Sequence, residues 1–148
     1  MEKIKIGNRW VGECQPCFII AEAGSNHDCD FKKALKLIDV SALSGVSAVK
    51  FQVFKAENLY SMKTPPMHYL KKNRLLKKGE RVFDLLEKLE MPRYWLKGLS
   101  QYCKQKNIIF LATPFDVEAV EELEKVNVPA YKIASFEITH LPLLKCVA

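Results

Sequence analysis

Two lysines, two carboxylates, two hydroxyls and an amide stand at the ends of four apolar stretches. Glu22 closes Phe18-Ile19-Ile20-Ala21. Lys50 and Gln52 close the run that begins at Val46, Thr113 follows Ile108 to Ala112, and Lys132, Ser135 and Glu137 sit at the end of Val128 to Ala134. Lysine is almost never fully buried unless paired, so Lys50 inside an apolar stretch needs an explanation, and the same holds for Lys132. Two such lysines at strand ends suggest an anion or a carbonyl between them. Two chemistries fit. One is a Schiff-base aldolase, in which a single desolvated lysine attacks a carbonyl. The other is electrostatic capture of a phosphorylated, carboxylated substrate, with the Thr113 and Ser135 hydroxyls adding hydrogen bonds. Two lysines with two hydroxyls favour the second. Glu22 has a plainer reading as a surface carboxylate, but it follows a buried run and Gly24 is close behind. His27 is a candidate metal ligand, a general base, or a residue that organises its loop; a lone histidine favours the last. His68 and His140 carry less signal.

The elements that must carry these residues alternate. Lys3 to Gly12 reads as a small hairpin turning at Gly7-Asn8. Phe18 to Ala21 reads as the first buried strand. Asp30 is an N-cap ahead of Phe31, Ala34, Leu35, Ile38, Ala42 and Leu43 at helical spacing, and Gly45 stops that helix. Val46 to Val53 is the second strand. Residues 54–80 form a long connection that Thr64-Pro65-Pro66 keeps from being one helix. Arg81 to Leu89 is helical. Pro92 suits the first position of a helix running to Lys106. Ile108 to Ala112 is the third strand, with Thr113-Pro114-Phe115-Asp116 as its exit. Asp116 caps a helix from Val117 to Val126, Val128 to Ala134 is the fourth strand, and Leu141 begins another helix. Buried strands joined by helical crossovers mean a parallel sheet. No Gly-x-Gly-x-x-Gly and no P-loop follows any strand, which weakens a nucleotide-binding doubly wound fold. Polar residues at several strand ends predict instead part of a (β/α)8 barrel. Four βα units make half of one, since a whole barrel takes about 250 residues.

The bulk composition narrows the function classes. The 148 residues are 49% hydrophobic and 27% charged, as expected of a globular domain with a real core. No apolar run reaches the roughly 20 residues of a membrane span, and Met1 to Lys5 opens no signal peptide, so the expected compartment is the cytoplasm. The net charge of +6 is concentrated in Lys71 to Lys78. That run reads as a solvated face, because nucleic-acid binding would bring interleaved aromatics or a known module. Five cysteines without a leader argue for reduced thiols. Cys14-Gln15-Pro16-Cys17 precedes a strand rather than opening a helix and lacks a second ligand pair at zinc spacing.

Four stretches in order resemble the sialic acid synthase family: Ile20-Ala21-Glu22-Ala23-Gly24-Ser25-Asn26-His27, Ala48-Val49-Lys50-Phe51-Gln52, Ala112-Thr113-Pro114-Phe115-Asp116 and Tyr131-Lys132-Ile133-Ala134-Ser135-Phe136-Glu137. The family comprises the N-acetylneuraminate synthases and their relatives for legionaminic and pseudaminic acids. The resemblance runs from about Lys3 to Ala148. It implies condensation of phosphoenolpyruvate with an N-acylated amino sugar, water addition and release of phosphate. It also implies a divalent metal, manganese or magnesium, acting on the open-chain sugar aldehyde. Lys50, Lys132, Thr113 and Ser135 take the place of the phosphoenolpyruvate-binding set. Glu22 takes that of the sugar-hydroxyl partner, with Gln52 and Phe115 beside it, and Glu137 that of a catalytic or orienting carboxylate. The stretch from Lys132 to Ile138 is similar to pseudaminic acid synthases, since N-acetylneuraminate synthases usually carry glycines around that serine. The family continues through four more barrel strands and a small antifreeze-like C-terminal domain, and neither falls within residues 1–148. The metal-binding histidines and an arginine from the partner subunit of a dimer belong to those parts. The resemblance therefore implies an incomplete synthase, as a truncated product, a fragment or one part of a split enzyme, whose partner is a second copy in a homo-oligomer or a complementing C-terminal half. A Schiff-base aldolase and a non-catalytic, self-associating half-barrel are the alternatives.

Overall fold

The computed structural model describes residues 2–66, 70, 72, 73, 76, 77 and 79–148. Of the expectations above, His68 and the Lys71, Arg74, Leu75 and Lys78 positions of the basic run lie outside those residues. Lys72 and Lys77 are exposed.

A hairpin comes first. Strands β1 (Ile4–Ile6) and β2 (Arg9–Val11) pair antiparallel, with Ile4 opposite Val11 and Ile6 opposite Arg9. Gly7 makes the turn at φ +60°, where a side chain would also press within 3.2 Å of Ile109. The hairpin thus packs over the N-terminal end of the main sheet.

That sheet has three strands, β3 (Ile20–Gly24), β4 (Ala48–Val53) and β5 (Ile109–Pro114), in the order β3-β4-β5. Both pairings are parallel. Helix α1 (Phe31–Leu43) crosses from β3 to β4. Asp30 caps it, its carboxylate accepting from the Lys32 and Lys33 amides. Ala34 and Ile38 are buried, while Leu43 faces solvent. Among the described residues, three helices lie between β4 and β5: α2 (Ala56–Leu59), α3 (Val82–Leu89) and α4 (Trp95–Gln105). Pro92 stands in the turn before α4 rather than inside it, its carbonyl accepting from the Trp95 amide at 2.9 Å. Helix α5 (Val117–Glu124) follows β5, capped by Asp116 through the Ala119 amide. Ala119, Val120 and Leu123 turn inward, and Val117 is 38% exposed.

The expected fourth strand is not one. Residues 128–134 run extended beside β5, but a single parallel bridge, Ala112 to Tyr131, joins them to it. The Lys132 amide donates to the Ala112 carbonyl at 3.2 Å. Pro129 has no amide to offer a ladder, and among the described residues no strand lies on the far side. A short 3-10 turn (Ser135–Glu137) and helix α6 (Leu141–Val147) follow.

One face of the sheet makes the core. Side chains alternate along a strand, so Val49, Phe51 and Val53 point one way with Ala23, Phe110 and Ala112. They pack against Ala34 and Ile38 of α1, against Trp95, Leu96, Leu99 and Cys103 of α4, and against Ala119 and Leu123 of α5. The first strand is less buried than expected, with Ile19 53% and Ile20 42% exposed. It lies at the sheet's edge, where among the described residues one side has no neighbouring strand. No helix among the described residues is long and apolar enough to cross a membrane.

Candidate active site

The alternation that buries Val49 and Phe51 sends Lys50 and Gln52 to the opposite face. Parallel register sets Glu22 beside Lys50 and Gln52 beside Thr113. Three strands therefore deliver one group of side chains to the same end of the sheet. The Lys50 side chain is only 5% exposed, and its ammonium meets the Glu22 carboxylate at 2.6 Å. It also donates to Thr113 Oγ1 at 3.2 Å. Glu22 keeps its side chain 57% exposed, so this ion pair has one wet end and one dry end. Charge-assisted contacts of this kind fix a side chain more firmly than neutral ones. A buried lysine paired as expected is what the apolar setting of Lys50 required.

Gly24 makes the arrangement possible. It sits at φ +54°, and a Cβ there would come within 3.2 Å of Glu22 Oε1 and 3.7 Å of Gln52 Oε1. The strand pairing shifts register between Glu22 and Gly24, which lets the chain leave the sheet directly after the carboxylate. The loop that follows is pinned by His27, which is fully buried. Its Nδ1 accepts from the Cys29 amide at 3.0 Å. The imidazole lies against Trp95 at 5.7 Å and Phe51 at 6.3 Å between ring centroids. His27 thus organises its loop, as its isolation in the sequence suggested.

The other expected residues are placed differently. Lys132 lies next to Thr113 along the chain's bridge to β5, but its side chain is exposed, and among the described residues it has no ion-pair partner. The argument from burial therefore applies to Lys50 and not to Lys132. Its strand lacks the outer neighbour that would enclose it. Ser135 is exposed in the 3-10 turn. Glu137 is 8% exposed and meets His140 Nδ1 at 2.7 Å. Phe115 is buried edge-on against Phe54 at 5.9 Å and tilted against Phe136 at 5.6 Å.

Two partners were not foreseen. His140 is the first, and the Glu137-x-x-His140 spacing of one helical turn is the signal that could have found it. Arg93 is the second. Its Nη2 lies 2.7 Å and 2.6 Å from the two oxygens of Asp116, and Asn58 of α2 donates to the same carboxylate at 3.3 Å. This cluster ties the exits of β4 and β5 together. No local spacing announces it, because Arg93 and Asp116 meet only through the tertiary fold. A cavity of about 370 Å³ lined by Gly7, Asn8, Ser100, Lys104 and Phe110 lies at the other end of β5, away from these groups. Among the described residues no three His, Cys, Asp or Glu side chains cluster so as to hold a metal ion.

Residues 37–148 match the NeuB family. The chain belongs to that family. It is 43% identical over all its length to the spore coat polysaccharide biosynthesis protein SpsE of Bacillus subtilis, covering 38% of that protein. It is 44% identical to the N,N'-diacetyllegionaminic acid synthase of Campylobacter jejuni over 88% of this chain and 38% of that one. The pseudaminic acid synthase of Helicobacter pylori matches at 32% over 90% of this chain and 39% of that one. The N-acetylneuraminic acid synthetase structure from Leptospira borgpetersenii serovar Hardjo-bovis superposes with a TM-score of 0.82 at 33% identity, over 98% of this chain and 45% of that one. This NeuB-family chain thus spans about two fifths of the length of the curated relatives it matches. Whole-chain identity is higher to the legionaminic acid synthase than to the pseudaminic one, the reverse of the direction in which the Lys132–Ile138 motif leans.

Proposed function

We propose that this chain supplies part of a synthase that condenses phosphoenolpyruvate with an N-acylated amino sugar. In that reaction the enol carbon forms a C–C bond to the sugar's aldehyde carbon. Water adds at the neighbouring carbon, a C–O bond breaks, and inorganic phosphate leaves. The three parallel strands are then the first strands of a (β/α)8 barrel, whose chemistry sits at the C-terminal ends of its strands. The observation that carries the reading is Lys50, buried, ion-paired to Glu22 and donating to Thr113 at that end of the sheet. A cation fixed in this way suits capture of an anion better than nucleophilic attack as a free amine. Lys132 and Ser135 complete the phosphoenolpyruvate set, while Glu22, Gln52 and Phe115 face the sugar and Glu137 orients a reacting group. The higher identity to the C. jejuni relative supports a product nearer diacetyllegionaminic than pseudaminic acid. The expected manganese or magnesium has no fitting ligand set among the described residues, and we place its ligands outside residues 1–148.

Binding and trapping test this reading together. Calorimetric titration with phosphoenolpyruvate should show binding that Lys50→Met abolishes. Borohydride treatment with pyruvate should leave the protein unmodified. An adduct at Lys50 or Lys132 would establish the aldolase alternative instead.

A further inference from the structure

We propose that His27 is a positioning residue for Glu22. As the neutral Nε2–H tautomer it locks the loop from Gly24 to Asp30, and a second proton on the imidazole unlocks that loop and frees the strand end that carries Glu22. The proposal relies on the synthase reading only for the role of Glu22.

The tautomer follows from the contacts. Nδ1 accepts a hydrogen bond from the Cys29 amide, so the ring's proton resides on Nε2. Nε2 is fully buried and, among the described residues, has no hydrogen-bond partner. Its surroundings are the Trp95 and Phe51 rings, which offer no carboxylate or carbonyl to a charged imidazole. A second proton would go on Nδ1. That nitrogen would then point a donor at the Cys29 N–H, and the hydrogen bond would be lost.

The loop depends on that bond. Asp28 and Cys29 are consecutive non-glycine residues at φ +48° and +52°. Side chains rarely adopt that conformation unless neighbouring contacts impose it. The Asn26 amide donates to the Ala23 carbonyl, Asp28 to Ser25, and Asp30 to His27, so the turn begins inside β3 and ends at the cap of α1. Ala23 is the residue after Glu22, and the space beside Gly24, where a Cβ would stand, is bounded by the Glu22 and Gln52 side chains. Loosening the turn therefore moves the carboxylate that holds Lys50.

The charged neighbours do not compensate. Asp28 is the one charged group acting on His27 among the described residues, and it is engaged by the Lys33 ammonium at 2.8 Å. From α4 and β4 the imidazole has the Trp95 and Phe51 rings against it, and among the described residues no charged group of those elements acts on it. Burial holds its pKa below the usual 6.5, against a smaller opposing pull from Asp28. With the folded pKa depressed, the stabilisation from neutral His27 is fully present above pH 6.5. It is lost as pH falls from there through the folded value.

Amide hydrogen exchange and ¹⁵N spectra of the whole chain test the proposal without any substrate, so its failure is distinguishable from failure of the synthase reading. The ¹⁵N shifts of His27 should show the Nε2–H tautomer at neutral pH. Exchange of the Cys29 amide, corrected for its intrinsic pH dependence, should accelerate about tenfold or more as His27 protonates. The Gly24 amide signal should shift in parallel. His27→Asn places an acceptor near the Nδ1 position and does not titrate; it should keep Cys29 protected at all pH values at which the chain is folded. His27→Phe fills the ring's space without an acceptor and should expose Cys29 even at pH 8. Continued protection of Cys29 in folded His27→Phe would overturn the proposal. So would a His27 titration that leaves the Cys29 and Gly24 amides unmoved, a readout the wild-type chain provides even if a variant does not fold.

Discussion

Lys50 separates binding from stability. Its partner Glu22 is half in water, so removing the ammonium strands no buried carboxylate. Breaking a buried pair is costly when it leaves a buried charge behind, and here the carboxylate left behind has water to turn to. Lys50→Met should therefore leave the urea midpoint unchanged or raise it while phosphoenolpyruvate binding is lost. A large fall in the midpoint would show that the ion pair holds the fold. Gly24→Ala should do the opposite. Its left-handed backbone and the 3.2 Å approach to Glu22 Oε1 should cost about 1–3 kcal/mol in a denaturant melt, and binding should weaken as the carboxylate moves. The thiols make a third case. Cys103 is buried and its pKa is pushed up to about 12, while Cys14, Cys17, Cys29 and Cys146 are exposed. A thiol reagent at pH 8 should label those four in the native state and reach Cys103 only on unfolding.

At the scale of elements, Asp116 works in three directions. It caps α5 through the Ala119 amide at 2.7 Å, holds Arg93, and receives Asn58 of α2. The Arg93 side chain is 15% exposed and would be left without its nearest counter-charge. Loss of a cap costs about 1 kcal/mol, and breaking a largely buried pair costs about 3 kcal/mol or more. Asp116→Ala should therefore destabilise by about 3–4 kcal/mol in a urea melt. Asp116→Asn, which still accepts from Ala119, should cost clearly less. An equal loss in both variants would mean that the charge pair, not the cap, decides the effect. The caps themselves were legible, since Asp30 and Asp116 each precede an apolar repeat of helical period. The pairing to Arg93 was not, because 23 residues and a whole strand separate the two.

At the scale of the molecule, among the described residues the sheet leaves β3 with one neighbour, and Ile19 and Ile20 are exposed at that edge. Such an edge recruits another strand or another copy. Sedimentation velocity of residues 1–148 should show association that grows with concentration. Ile20→Lys should reduce it, because a charged edge discourages pairing. A monomer at all concentrations in both forms would mean that the edge is covered by some other part of the protein.

The order of the three sheet strands, their parallel crossovers and the gathering of Glu22, Lys50 and Thr113 were determined by the sequence alone. These follow from local rules: alternation along a strand, helical period, caps, and polar residues where apolar runs stop. Lys50 could be singled out because burial of a lysine contradicts its chemistry unless a partner is near. Tertiary structure decided the rest. Lys132 resembles Lys50 in sequence context, yet it is exposed, because enclosure depends on a neighbouring strand rather than on the residues beside it in the chain. The stretch from Val128 to Ala134 has the composition of a strand and forms a single bridge, because a ladder needs an amide where Pro129 has none. His27 shows the limit most clearly. Its place in the motif marked it as a loop residue, and the nearby Cys29 amide sets its tautomer, but its burial involves Trp95, 68 positions away along the chain and brought against it in space.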